Sequence, residues 1–228
     1  MLIYYLGLLL LQGKLSKSLK MILKVEDQKK LGRDEEAAFG RFSAAAEVAA
    51  DRAIRTAAEC LGPRCDEKCG SRAQWLAYCH SHNITSRLTS YRLNRFNNLF
   101  ENAAAVLYHK AHVVDFMIDN NCTHSNLKLK SIVADLKDKR IVAIVWAIAL
   151  FNTIVTQPYW QLINSSLPYG AFPSYAKSLD QTLARLARDG IRDPQDVQAV
   201  FQDYAVEDGD TVDFLFSHST EFYFQENF

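Results

Sequence analysis

The sequence predicts an all-α fold, an irregular bundle of several helices with a cysteine-rich connector. About half of the 228 residues are apolar and 23% are charged, which is the composition of a globular protein rather than a disordered one. Only 9 Gly and 5 Pro interrupt the chain, so long helices are allowed. Stretches rich in Ala, Leu, Lys and Glu outnumber alternating β-branched stretches, and this balance favours helices over strands.

Charge and composition divide the chain into three predicted parts. Residues 1–33 form a basic segment with seven basic side chains against two acidic ones, and residues 34–190 form the helical domain. Residues 191–228 are acidic and aromatic, and the five Phe between 214 and 228 indicate either a docked edge or a chain cut before its natural end. The charge asymmetry favours two solvated faces over a specific charged partner.

Two apolar runs are too short to cross a bilayer, which takes about 20 residues. Residues 1–11 are followed, not preceded, by Lys and lack a small-residue cleavage site, so they predict a packed helix or an artefactual start. Residues 141–155 predict a helix buried on all sides. We therefore expect no membrane partner. The odd number of cysteines favours a reducing, intracellular compartment, nuclear or cytoplasmic.

The first predicted helix covers residues 34–61. Apolar side chains recur there at steps of three and four residues, as on one face of a helix. Gly62-Pro63 ends it, because Gly suits a left-handed cap and Pro cannot continue the ladder of hydrogen bonds. After the cysteine-rich connector, a short helix is predicted at 72–80.

The remaining elements follow in order. Residues 84–91 predict an extended segment or loop, and 94–119 a second long helix on whose surface His109 and His112 lie one turn apart. Ser125 is the predicted cap of a helix at 127–136. Gln157-Pro158 then breaks the buried helix. Two further helices are predicted at 174–189 and 193–204.

A cluster of cysteines and histidines is the candidate metal site. Zinc takes four tetrahedral nitrogen or sulfur ligands, and six candidates fall within 23 residues, although only the first gap has a usual zinc spacing. The alternative is that the first and last cysteines are small buried side chains and the other two lie at the surface. The candidate ligands are Cys60, Cys65, Cys69, Cys79, His80 and His82.

A second cluster interleaves arginines with aromatic residues. Arg87, Arg92 and Arg95 stand beside Tyr91 and Phe96. Such a pattern can neutralise phosphates and stack on bases, and so predicts a nucleic-acid-binding surface. The same pattern arises where Arg stems cover a helix whose aromatic residues enter the core, and the absence of a Lys-rich surround favours that alternative.

The sequence contains no familiar catalytic motif. Gly-rich phosphate loops, Gly-x-Ser-x-Gly and His-Glu-x-x-His are all absent. Carboxylate pairs one helical turn apart occur, but such pairs are ordinary on helix surfaces. The balance is against an enzyme. An enzyme fragment using a metal held by the Cys/His cluster stays open as an alternative.

Four stretches of the chain carry a resemblance to a known group of proteins. They are CLGPRCDEKCGSRAQWLAYC, SYRLNRFNNLFENAAAVLYH, LKLKSIVADLKD and TQPYWQLINSS. Over roughly residues 44–175 the chain resembles uncharacterised mobile-element-derived proteins of marine invertebrates, which are distantly similar to hAT-type transposases. The resemblance includes Trp75, Arg95-Phe96-Asn97, Phe100, Asp135 and Pro158-Tyr159-Trp160.

The resemblance implies a helical region attached to, or inserted in, a ribonuclease-H-like core. Such a core consists of strands that carry acidic metal ligands, and this chain shows no series of such strands. We therefore expect a helical interaction or scaffold region of a transposon-derived protein, which binds a protein partner or associates with itself. A nucleic-acid-binding module and a metal-dependent enzyme fragment are the alternatives.

Overall fold

The computed structural model describes residues 30–42, 47–65, 71–92, 97–119 and 126–157, and a few single positions between 160 and 184. Every element in the described ranges is helical, which confirms the all-α prediction. In order they are two short 3-10 helices (Gly32–Glu35 and Ala37–Phe42), α1 (Ala49–Leu61), α2 (Arg72–Ser81), α3 (Asn97–Tyr108), α4 (Lys110–Asp119), α5 (Leu127–Lys137), α6 (Lys139–Phe151) and a π-helical turn (Asn152–Thr156).

The hydrophobic core lies where α1, α3, α5 and α6 meet. α3 and α6 pack against each other, and α1 contacts α5, α3 and α6. α1 is strongly amphipathic and buries Ile54 and Leu61, which meet Ile132 of α5 and Val145 of α6 in one apolar cluster. Burying each such side chain contributes about 1.5–3 kcal/mol, so these contacts fix the arrangement of the four helices.

The prediction of one helix over 34–61 was wrong. Two 3-10 helices occupy its first part, and only Ala49–Leu61 is α-helical. The backbone is extended between the 3-10 helices at Glu36 (φ −107°, ψ 120°) and before α1 at Val48 (φ −64°, ψ 132°). The predicted face nevertheless persists, because Phe39 and Ile54 are both buried.

Long-range hydrogen bonds explain why this segment is not helical. The backbone N–H of Gly32 donates to Oδ2 of Asp138 (2.9 Å), and that of Arg33 donates to Oδ1 of Asp135 (3.0 Å). Gly32 has φ +53°, a left-handed conformation that favours glycine. These bonds tie the segment to the junction of α5 and α6, and such tertiary contacts outweigh the small differences in helix propensity.

Gly62 ends α1 as predicted, but for a different physical reason. Its φ is −80° and its ψ 176°, so it is extended rather than left-handed. A Cβ at this position would collide with the carbonyl oxygen of Ala58 and lie 3.0 Å from that of Thr89. Glycine is needed because a side chain here would meet the last turn of α1 and the backbone at Thr89.

The predicted helix at 94–119 is divided at His109. α3 and α4 lie on either side of this residue, and the backbone bonds from His109 to Ala105 (3.0 Å) and from Val113 to His109 (2.7 Å) span the division. Residues 84–90 form neither helix nor strand, as expected. Asn102 of α3 holds this segment, because its side chain accepts from the Thr89 backbone N–H (3.0 Å) and donates to the Thr89 hydroxyl (2.9 Å).

α5 and α6 have polar N-caps. Asn126, rather than the predicted Ser125, caps α5, since its side chain accepts from the backbone N–H groups of Lys128 and Leu129. Asp138 caps α6 through the backbone N–H of Arg140. The prediction of a helix buried on all sides near 140–155 holds for most of α6, but Ala147 is exposed, so one strip of the helix faces solvent.

Several predictions fall outside the described residues. They include the basic segment up to residue 29, Ser125, the acidic C-terminal segment, and the helices at 174–189 and 193–204 apart from a few single positions. Among the helices that the structure describes, none is long and apolar enough to cross a membrane.

Candidate functional site

The predicted metal ligands lie in different surroundings. Cys60, near the end of α1, and Cys79, in α2, are buried in the core, whereas His80 is exposed. Cys65 is partly exposed, and Cys69 lies outside the described residues. Within the described part of the chain, no three His, Cys, Asp or Glu side chains converge as a metal site would require.

The state of the buried thiols bears on zinc binding. Burial raises the pKa of the Cys60 thiol to about 11 and also raises that of Cys79. Zinc binds the thiolate, so both groups would have to lose a proton that their surroundings favour. With Cys69 outside the described residues, a zinc site stays a prediction.

His82 has a structural role at the end of α2. Its imidazole stacks on the ring of Tyr78 with centroids 4.1 Å apart. Its Nδ1 lies 2.9 Å from the carbonyl oxygen of Tyr78, and because a carbonyl only accepts, Nδ1 donates there. The same carbonyl also accepts from the backbone N–H of His82 (3.1 Å) and from the Ser81 hydroxyl (2.8 Å), so the imidazole adds to the bonds that close the last turn of α2.

The predicted nucleic-acid-binding arginines are partly embedded in the structure. The guanidinium of Arg87 lies over the ring of Tyr108, 3.9 Å from its centroid, in a cation–π contact. Arg92 is also half-buried, and Arg95 lies outside the described residues. The hydroxyl of Tyr91 donates to Oδ1 of Asp51 (3.0 Å) and so links this segment to α1. A nucleic-acid-binding role for these arginines remains a prediction.

An aromatic cluster joins α2 to the junction of α3 and α4. Trp75 is fully buried, and its indole N–H donates to the hydroxyl of Ser86 (2.9 Å). Its ring meets His109 at 5.3 Å and Phe116 at 5.5 Å, and Tyr78 also contacts Phe116. The sequence predicted His109 on a helix surface, but in the structure it is fully buried and contacts this cluster.

His109 is held in one neutral form. Its Nε2 accepts from the backbone N–H of Arg87 (2.9 Å), so the ring proton is on Nδ1. Among the described residues, Nδ1 has no hydrogen-bond partner. Burial, together with the nearby charges of His112 and Arg87, lowers the pKa of His109 to about 4.

The opposite face of α2 is exposed and unusual. Beyond Arg72 the helix contains no Asp, Glu, Lys or Arg, although 23% of the chain is charged. Unlike α1, α2 is only weakly amphipathic, because apolar side chains occupy both its buried and its exposed faces. Leu76 is 41% exposed. We define the α2 face as the exposed residues Ala73, Gln74, Leu76, Ala77 and His80.

Comparison with known proteins found no relative of this chain. No protein-family model, no curated protein and no solved structure matches the chain. The resemblance over residues 44–175 therefore stays a prediction, and a functional proposal has to rest mainly on the chain's own residues.

Proposed function

We propose that this chain is a helical interaction region of a transposon-derived protein, without catalysis of its own, and that it pairs with a second copy through the α2 face. The observation that supports this is the uncharged, partly apolar surface of a helix whose other side is already in the core. Surface helices ordinarily place charged residues on their solvent side. A helix that has apolar side chains on its core side and also on its exposed side is typically covered by protein on both.

The chemistry of the α2 face favours a second copy as its occupant. In a twofold dimer the same surface meets itself, so any charge at the centre would face an identical charge. The α2 face contains no Asp, Glu, Lys or Arg, and His80 lies at its end. Ala73 lies three residues before Leu76 and four before Ala77, so small side chains stand next to Leu76 on the helix surface. Two such helices can approach closely with each Leu against the small residues of the other.

The proposed contact is small. α2 has 10 residues and is therefore about 15 Å long, which gives an interface below the usual size of a stable dimer. We expect a weak, reversible dimer with a dissociation constant on the order of 100 µM.

Sedimentation equilibrium of the full chain over a range of concentrations tests this proposal. Leu76→Gln should weaken the dimer by about tenfold or more, because it places an amide in the apolar centre of the contact. Leu127→Gln is the matched control, since Leu127 on α5 is exposed to nearly the same extent, 42% against 41%. Circular dichroism establishes that both variants remain folded.

Three outcomes count against the pairing. They are a strictly monomeric wild-type chain at several hundred micromolar, equal dimerisation of the Leu76→Gln variant, and equal weakening by Leu127→Gln. A monomer that also fails to bind 8-anilinonaphthalene sulfonate would count against an apolar interaction surface of any kind.

A further inference from the structure

A pocket rich in basic side chains lies between the two 3-10 helices, α1 and the start of α5. Its volume is about 300 Å³, at the lower end of the range for small-molecule sites. Four of its side chains are cationic and one is a carboxylate, and an aromatic ring forms part of the wall. These six residues are Arg33, Arg41, Arg55, Lys128, Glu47 and Phe42.

Carboxylates hold three of the cations in place. Arg55 donates to both oxygens of Glu47 (2.7 and 2.6 Å) and to Glu59 (3.1 Å). Lys128 donates to the other oxygen of Glu59 (3.0 Å). Burial alone would raise the pKa of Glu59, but the hydrogen bonds from Lys128 and Arg55 outweigh it and lower that pKa. This network fixes the cations before any ligand arrives.

Arg33, the third of these cations, is held by a carboxylate in the core. The guanidinium of Arg33 contacts Oδ2 of Asp135 through two nitrogens, at 2.8 and 2.6 Å, and both side chains are almost fully buried. Arg33 also donates to the carbonyl oxygen of Phe42 (3.4 Å), which links it to the aromatic wall. Asp135 itself is not part of the pocket wall.

Arg41 gives the pocket its uncompensated charge. The side chain of Arg41 is exposed, and no carboxylate in the described part of the chain pairs with it. Glu47, Glu59 and Asp135 balance the other three cations, so the charge of the described residues around the pocket is positive by one unit. A positive pocket of this kind attracts an anion.

We propose that this pocket binds a small organic phosphate. The cationic groups come from four separate helices, and the three terminal oxygens of a phosphate can accept from several directions, whereas a carboxylate suits a single fork. The volume exceeds what a bare phosphate needs, and Phe42 offers an apolar surface to an attached organic group. Because the pocket involves no residue of α2, this site is independent of the proposed pairing.

Isothermal titration of the full chain with phenyl phosphate, at low ionic strength, tests the site. We expect saturable binding of one ligand per chain, tighter than the binding of inorganic phosphate or benzoate. Arg41→Gln should weaken it by about tenfold, because the pocket loses its uncompensated charge. Arg64→Gln, which changes another exposed arginine outside the pocket, should leave binding unchanged.

Each result decides for or against the proposal. Saturable binding that Arg41→Gln weakens and Arg64→Gln leaves intact supports it. The proposal is overturned if phenyl phosphate shows no saturable binding at millimolar concentrations, or if the two arginine variants lose affinity equally. Benzoate binding as tightly as phenyl phosphate would overturn the assignment to a phosphate. Thermal unfolding of each variant without ligand separates loss of the site from loss of the fold.

Discussion

The side chain of Arg33 makes contacts across 102 positions of the chain. Its backbone N–H and its guanidinium both bond to Asp135, while the neighbouring Gly32 bonds to Asp138. A Cβ at Gly32 would lie 2.7 Å from Oδ1 of Asp135, so glycine is required for this approach as well as for its positive φ. Single residues in this region therefore determine how the N-terminal part of the described chain docks on α5 and α6.

Replacing only one member of the buried Arg33–Asp135 pair should lower the free energy of unfolding far more than replacing both. Arg33→Met leaves the Asp135 carboxylate buried without its partner, and Asp135→Leu leaves a buried guanidinium. We expect each to lower the free energy of unfolding by about 3–5 kcal/mol. The double variant should lose much less than the sum, because neither charge remains. Urea unfolding measures all three, and additive losses would contradict the coupling.

The Arg33–Asp135 ion pair also shows which kind of buried side chain cannot be predicted from the sequence. Apolar positions such as Phe39, Ile54 and Leu61 were predicted from their spacing and are buried. Arg33 and Arg52 are equally buried, although arginine is ordinarily exposed. Their burial depends on Asp135 and Asp34, and the first of these partners is too distant in the chain for any local pattern to reveal.

At the scale of elements, chain spacing predicted the helices whose ends are set locally. α2, α5 and α6 lie close to their predicted ranges. α5 and α6 begin directly after the polar caps Asn126 and Asp138, which are their neighbours in the chain, whereas α2 has no side-chain cap. The predicted helix at 34–61 failed because its first part is held by bonds to α5 and α6. The division at His109 was also missed, because the pattern of apolar residues continues through it.

The two candidate sites could not be predicted from local sequence patterns either. The two proposed surfaces are the α2 face, which depends on which side of the helix is exposed, and the basic pocket, whose cationic side chains come from four helices. Neither property is a motif, and the exposure of Leu76 and the position of Arg41 follow only from the packed structure. The Cys/His and arginine clusters were visible as motifs, yet the structure buries Cys60 and Cys79 and half-buries Arg87.

The cap of α5 gives a prediction at this scale. Asn126→Ala removes the side-chain oxygen that accepts from the backbone N–H groups of Lys128 (3.1 Å) and Leu129 (3.3 Å). We expect the free energy of unfolding to fall by about 1 kcal/mol. Asn126→Asp keeps an acceptor at the helix N-terminus and should retain the stability, as thermal unfolding of the two variants will show. Equal losses in both would mean that the stabilisation does not come from a side-chain acceptor at this cap.

At the scale of the whole molecule, the aromatic cluster joins α2, the 84–90 segment and the α3–α4 junction into one unit. His109 lies at its centre, in contact with Trp75 and bonded to the backbone of Arg87. Protonating His109 would place a charge in this apolar cluster and remove the acceptor that Arg87 uses. The cohesion of the helices thus depends on one imidazole staying neutral.

Acid should therefore loosen the molecule in a defined range of pH. The pKa of His109 falls from its ordinary value of 6.5 to about 4 in the folded chain. Between these values the unfolded state binds the proton first, so the free energy of unfolding drops as pH falls from 6.5 to 4 and levels off below. The total loss is on the order of 3 kcal/mol.

The variant His109→Gln isolates this effect, because a neutral amide cannot take up the proton in either state. Urea unfolding at several pH values between 7.5 and 4 should show that the variant, although less stable at neutral pH, loses less stability on acidification than the wild type. His112→Gln is the comparison variant, since it removes a weaker cause of the lowered His109 pKa and leaves the burial of His109, the main cause, intact; it should keep most of the wild-type slope. If His109→Gln and the wild type follow parallel curves, another group governs the acid response and the aromatic cluster does not depend on a neutral imidazole.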